Sequence, residues 1–283
     1  MRKLLLILGI VIVIILLFIT ISKILFDKKV TKEIDILTKE GVKAQSKTFN
    51  FNDLEGLPEP VQRYFKYALR DGQEHIKFVR LKQIGEFRMK GNQPWMPIKA
   101  EQYFTTEDPG FIWRVKLAMA PFIWIEGRDM YFQGRGNMLI KLLSTITVAN
   151  ATGSEMDISS LIRFLSEALW LPTVLLPSDY IEWKEIDFNS AQAVIKDNGY
   201  TASGIFTFNE KGEIIKFVTN DRYREVDGEY FKDRWTAYYR NYQEFDGMMI
   251  PTEGEVEWNL SDEDLQYAKL KITDIQYNIS SKY

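Results

Sequence analysis

The sequence predicts a chain that is mainly β with helices (α+β): a large curved antiparallel sheet, or half-open barrel, covered or plugged by a mid-chain helix and preceded by an N-terminal transmembrane helix. Three observations predict it. Two long stretches, 78–133 and 180–277, alternate apolar and polar residues with period two between turn signals. Between them, the segment 154–177 places Ile158, Leu161, Ile162, Leu165, Ala168 and Leu169 at the three-and-four spacing of one helical face. No strand–helix–strand rhythm recurs, which excludes a doubly wound sheet. A sheet of about ten or more antiparallel strands must curl, and a helix inside the curl fills the hollow.

Composition removes several classes of chemistry. The chain of 283 residues has no cysteine and one histidine, His75. Disulfides, thiolate metal sites, a cysteine nucleophile and His-rich metal centres are therefore excluded. All 39 acidic residues follow Phe26, whereas Arg2, Lys3 and Lys23 precede it, so the remainder is net acidic. Nonspecific nucleic-acid binding needs the opposite sign, because cations must replace counterions on phosphates.

Between Leu4 and Ile21 the chain is apolar apart from Gly9 and Thr20, and apolar residues resume from Ile24 to Phe26. At ~1.5 Å per helical residue this run matches the ~30 Å hydrocarbon core of a bilayer. A cleaved signal peptide has a shorter apolar region ending in a small-residue site, and Thr20-Ile21-Ser22-Lys23 is a poor one. The expected organisation is 1–26 as transmembrane anchor, 27–56 as stalk helix and linker with a stop at Gly41, and 57–283 as a single curved-sheet domain. Lys23, Lys28, Lys29 and Lys32 outnumber Arg2 and Lys3, but long domains translocate largely regardless of charge. The expected location is a plasma membrane, single-pass, with the C-terminal domain extracytoplasmic.

Residues 57–69 open with Pro60 and set Val61, Tyr64, Phe65, Ala68 and Leu69 on one side. That pattern predicts a helix closing one end of the sheet, or else one lying in the membrane interface. His75 follows in a polar loop. Strands are expected over 78–90, then 98–106 and 111–118 around Asp108-Pro109-Gly110, then 123–126 and 130–133 around a turn at Gly127-Arg128-Asp129. Residues 138–148 fit either strand or helix. The central helix is expected to be capped by Ser154 or Asp157, to carry Ser159, Ser160, Arg163, Ser166 and Glu167 on its second face, and to end at Pro172. Beyond it, strands at 180–187, 191–196, 201–208, 214–219, 221–227, 231–242, 248–258 and 265–277 form a meander with tight turns such as Asn198-Gly199 and Asp246-Gly247.

The stretches LPEPVQRYFKYAL, GFIWRVKLAM, DMYFQGRGNMLIKL, EALWLPTVLLP and NDRYRE resemble an uncharacterised family of bacterial membrane-anchored proteins of unknown function. The resemblance covers most of the chain after Leu57 and implies no activity. More distantly, hairpins such as YTASGIFTFNEKGEIIKFVTND look like those of the LolA/LppX-type lipoprotein carriers. That likeness implies a half-open barrel with helices in its mouth and an acyl-chain ligand.

Candidate binding residues come from charge and aromatic placement. Arg222 and Arg224, read as one strand, share a face on which two guanidinium forks hold an anionic head group; the alternative is cross-strand ion pairing. Arg163 and Glu167 are four apart on the central helix and can pair, facing either the hollow or solvent. Leu165 and Trp170 are the expected helix contribution to an apolar hollow, or to a filled core. Gly134-Arg135-Gly136-Asn137 lacks the Gly-Lys-Ser/Thr of a phosphate loop and reads as a hairpin turn. Carboxylate pairs such as Glu126 with Asp129, or Glu185 with Asp187, could serve acid–base hydrolysis, and no spacing demands it. No catalytic residue, metal ligand or cofactor is assigned, and no Gly-x-Ser-x-Gly elbow occurs. Three functions remain open: a membrane-tethered binding module for a hydrophobic or lipid-like ligand, a structural or interaction protein with a filled core, and a carboxylate-dependent hydrolase.

Overall fold

The computed structural model of the chain describes residues 1–41, 46–226 and 228–283. Helix α1 (Arg2–Gly41) is one unbroken helix of 40 residues. Among the described residues it is the one helix long and apolar enough to cross a membrane. Its C-terminal part is not a free stalk. Phe26, Val30, Ile34 and Leu37 recur at helical spacing and are buried against Phe78, Tyr103, Ile112 and Leu139 of the sheet. Helix α2 (Glu59–Ala68) has Pro60 in its first turn and buries Val61, Tyr64, Phe65 and Ala68 in the main core. It is a packing helix.

The strands are β1 (Phe78–Phe87), β2 (Met96–Thr105), β3 (Gly110–Ala120), β4 (Ile123–Phe132), β5 (Arg135–Leu142) and β6 (Ile146–Ala151). Helix α3 (Ser154–Glu167) and two 3-10 turns follow. The second run is β7 (Ile181–Asp187), β8 (Ser190–Asp197), β9 (Tyr200–Phe208), β10 (Ile214–Thr219), β11 (Tyr223–Val226), β12 (Glu229–Lys232), β13 (Arg234–Phe245), β14 (Met248–Asn259) and β15 (Asp264–Tyr277). Thirteen of these form a single sheet in the order β6-β5-β4-β3-β2-β1-β15-β14-β13-β10-β9-β8-β7. Its named pairings are antiparallel, and two wings meet at the β1–β15 seam. The edge strands β6 and β7 are not paired with each other; the chain joins them through α3, which lies inside the curl.

Strand alternation then sorts the residues. On β2 and β3, Phe104, Gln102, Ala100 and Ile98 share the inner face with Phe111, Trp113, Val115 and Leu117, whereas Tyr103 and Ile112 face α1 outside. Outside, Arg128 is buried and its side chain donates to the Asn137 backbone carbonyl at 2.8 Å while pairing with Glu33 of α1 at 3.0 Å. Burial lowers the pKa of this arginine, and the Glu33 charge works against that shift.

Three local expectations are corrected and one open alternative is decided. The turn expected at Gly127-Arg128-Asp129 is continuous strand within β4. Gly127 supplies space, since a Cβ there would lie 2.9 Å from Val115 Cγ1; the reversal comes at Gln133 (φ 50°) and Gly134 (φ 74°). The ambiguous 138–148 segment is strand, turned by Leu143 and Ser144, both at positive φ. The 221–227 and 231–242 runs do not continue the meander as drawn, because β10 pairs directly with β13 and β11–β12 is a separate hairpin. Finally, neither Ser154 nor Asp157 caps α3. Gly153 is the cap residue, without a side-chain bond.

Asp157 instead ties the wings together. Buried, its carboxylate accepts from the Gly136 amide at 2.7 Å, the Tyr200 hydroxyl at 2.9 Å and Arg135 at 3.3 Å. Beside it the Tyr131 hydroxyl donates to Asp197 at 2.6 Å, so the β4–β5 and β8–β9 turns meet across the N-terminus of α3. Asp157→Ala strands the buried Gly136 amide and is expected to lower unfolding stability by ~1.5–3 kcal/mol, the worth of hydrogen bonds to a charged group. Gly136→Ala should be at least as costly, because its Cβ would sit 2.4 Å from the Met156 carbonyl oxygen. Urea titration of the full chain in detergent checks both.

Candidate functional site

Helix α3 is buried on both faces, contrary to a one-sided amphipath. Leu161, Ile162, Phe164 and Leu165 enter the main core, and Ser159, Ser160, Ser166 and Glu167 are also buried. The reason is the β11–β12 hairpin and the opposite wing. Ser159 Oγ accepts from the Tyr223 amide at 2.9 Å, and the Tyr239 hydroxyl donates to the Ser166 carbonyl at 2.6 Å. After Glu167 the chain turns back. Trp170 Nε1 donates to the Pro251 carbonyl at 3.1 Å, and the Tyr277 hydroxyl donates to the Trp170 carbonyl at 3.1 Å. Leu165 and Trp170 therefore sit in filled core.

The C-terminal end of α3 meets the inner face of β1–β4 through a polar layer. Arg163 pairs with Asp129 at 2.6 Å and Glu167 at 2.9 Å, and Gln102 donates to Glu167 at 2.6 Å. Its guanidinium lies between the rings of Phe111 and Trp113, 5.1 and 4.6 Å from their centroids, and Trp113 Nε1 donates to Gln83 at 2.9 Å. Burial works against the Arg163 charge, but the Glu167 and Asp129 carboxylates raise its pKa above the ordinary arginine value. Burial raises the Glu167 carboxyl, against the pull of Arg163 and Gln102. Asp129 Oδ1, Gln102 Oε1 and Gln83 Nε2 are buried without partners among the described residues.

Past this layer the inner face is apolar again. Ile98, Ala100, Val115 and Leu117, with Ile125 and Leu270 beside them, form a cluster separate from the main core. Phe87 and Met96 flank it, and Phe87 packs edge-on to Tyr267 with centroids 5.8 Å apart. Tyr267 stacks on Trp258 and accepts from Trp235 Nε1 at 3.0 Å. Arg222 lies over Trp235, 4.2 Å from the centroid, and its Nη1 is buried with no partner among the described residues. Trp235 and Trp258 belong to the main core, so this aromatic run joins the second cluster to it, with Arg222 at its end.

The structure separates the two arginines expected to act together. Arg224 on β11 pairs with Asp233 at 2.8 Å, and Arg222 precedes the strand and turns onto the tryptophans. Glu126 and Asp129 face opposite sides of β4, Glu126 towards Lys23 and Asp129 towards Arg163, so they share no substrate. Glu185 and Asp187 are exposed on edge strand β7. A polar surface cavity of about 420 Å³ lies at the other end of the sheet between Arg70, Glu74, Asp246 and Asn278. Sequence reasoning missed Gln83 and Gln102. Their signal was a glutamine at a position where the alternation Val79, Leu81 and Phe104, Ala100 asks for an apolar residue.

The profile of a family described as "Family of unknown function (DUF6544)" matches residues 47–270. No curated protein matches. Among solved structures, a LolA superfamily protein from Nitrosomonas europaea is similar at 11% identity and TM-score 0.40, covering 77% of this chain and 91% of that one. A DUF1329 family protein from Desulfovibrio piger is similar at 8% identity and TM-score 0.36, covering 79% and 92%.

Removing Arg163 leaves two buried carboxylates without their cation. Arg163→Met is expected to cost ~3–5 kcal/mol of unfolding free energy. Arg163→Lys should recover only part, because an ammonium does not fork to both partners. Denaturant titration of the three chains side by side reads the difference.

Proposed function

The chain belongs to the DUF6544 family of unknown function, and we propose that it is a membrane-tethered binding module for a lipid-like amphiphile at the extracytoplasmic face of a plasma membrane. The observation that carries this reading is the second apolar cluster, Ile98 to Leu270, set apart from the filled core by the Arg163 layer. A polar layer costs desolvation that a continuous apolar core avoids. It makes sense as a floor that stops an apolar occupant from entering the core. In this reading the acyl part lies on Ile98, Val115 and Leu117. The anionic head meets Arg222, whose buried Nη1 has no acceptor among the described residues. Arg163 and Glu167 close the inner end, Leu165 and Trp170 hold the plug, and Arg224 fixes the β11–β12 hairpin through Asp233. Helix α1 is the anchor and keeps the trough near its ligand source, raising effective concentration.

Native mass spectrometry of the full chain released from detergent tests this. Wild type is expected to retain an anionic amphiphile that Leu117→Glu loses and that Arg222→Gln retains several-fold less of. Lipid bound only around α1 would be equal in all three. Equal retention, or no retention together with no binding of a fluorescent fatty acid, overturns the reading. Location has its own check, since the chain has no cysteine. A single Glu74→Cys, on the exposed loop after α2, is expected to react with a membrane-impermeant maleimide on spheroplasts without permeabilisation.

A further inference from the structure

The course of α1 along the sheet fixes where the strand tips lie. Leu37 touches the start of β3, its Cδ1 2.9 Å from where a Gly110 Cβ would be. Glu33 then pairs with Arg128, Asp27 with Arg114, and Lys23 with Glu126, which stands opposite Lys116. Going back along α1 towards the apolar span is therefore going forward along β3 towards its turn. The pace is nearly equal: fourteen helix residues advance ~21 Å while six strand residues advance ~20 Å. Phe122 is four residues before Glu126, the partner of Lys116, so the β3–β4 turn stands ~13 Å beyond Lys23 and level with about Ile14. Even at half that pace it is level with Ile19, still within the apolar run.

The residues at that turn suit the position. Phe122 is 93% exposed, and Met119, Ile123 and, at the neighbouring β5–β6 turn, Ile146 are large apolar side chains also left in the open. Nearer the sheet, Lys116 lies over the Trp124 ring at 4.7 Å, and Trp124 Nε1 donates to Ser144 at 3.2 Å. An amphipathic aromatic beside a cation, followed outwards by bare apolar residues, is the order met on crossing from water into a bilayer. We infer that the β3–β4 hairpin, capped by Met119, Phe122 and Ile123, inserts into the leaflet that α1 crosses and is a second membrane contact of the domain. Its occupant is the acyl layer of the bilayer itself. The inference rests on α1 as a span and not on any ligand in the trough.

The absence of cysteine makes the test direct. Full chains carrying a single Phe122→Cys, Val13→Cys or Glu74→Cys, each labelled with bimane, are reconstituted into phosphatidylcholine–phosphatidylglycerol vesicles with or without brominated acyl chains. Bromolipid is expected to quench the labels at 122 and 13 by about twofold and to leave that at 74 unchanged, while aqueous iodide does the reverse. Quenching at 13 with position 122 behaving like 74 overturns the inserted hairpin and leaves the anchor standing. No quenching at 13 overturns the anchor and the hairpin together. Exposure of Phe122 makes misfolding of that variant no obstacle.

Discussion

A sheet of thirteen antiparallel strands accumulates twist until its wings face one another, and the space between them must be filled without leaving polar groups dry and unpaired. Here the filler is a helix that brings charges with it, and the fold depends on where those charges are met. At its start, Asp157 accepts from both wings at once. At its end, Arg163 and Glu167 are answered by Asp129 and Gln102. Between these points Leu161, Ile162, Phe164 and Leu165 complete the core. Since β6 and β7 share no ladder, these polar contacts do at the rim what backbone hydrogen bonds do in a closed barrel.

The same arrangement divides the inner face. On the side of Val79, Phe104 and Phe111, α3 and its following turns press apolar side chains into a filled interior. On the side of Ile98, Val115 and Leu117, the chain has already turned back at Glu167. A charged layer between two apolar regions adds little net stability, because desolvation offsets its ion pairs. In the proposed reading it keeps the occupant of one region out of the other. The aromatic run from Phe87 through Tyr267 reaches Trp258 and Trp235 of the main core, with Arg222 over the Trp235 ring at its end.

The architecture was legible because it rests on local periodicity: period two for the strands, the Leu161–Leu165 stripe for the helix, and an apolar run for α1. What alternation does not encode is which edges meet. The pairing of β1 with β15 joins segments remote in sequence, and the standing-off of β11–β12 is decided by β10 reaching β13 first. Gly127 misled because glycine marks a turn or a crowded face equally well, and only Val115 across the ladder tells which. Whether the polar face of α3 looks into the hollow or to solvent stayed open for the same reason, since Ser159 and Ser166 find their partners in Tyr223 and Tyr239, far along the chain. The site was half legible. Arg163 with Glu167 and the role of Arg222 could be raised from spacing and charge, whereas the floor of Ile98 and Leu117 needed the register of β2 on β3.

The seam between β1 and β15 has a consequence for how the molecule is made. Its two members are about 180 residues apart, and long-range pairing of this kind is slow to form. At ~5–20 residues per second of synthesis, β1 waits on the order of ten seconds or more with one side bare, although β2 is already bonded to the other. A strand that is paired on both sides in the finished protein is thus an edge strand for most of its own biogenesis. Until β15 arrives, it is the place where the nascent chain is most open to strand exchange with a neighbour.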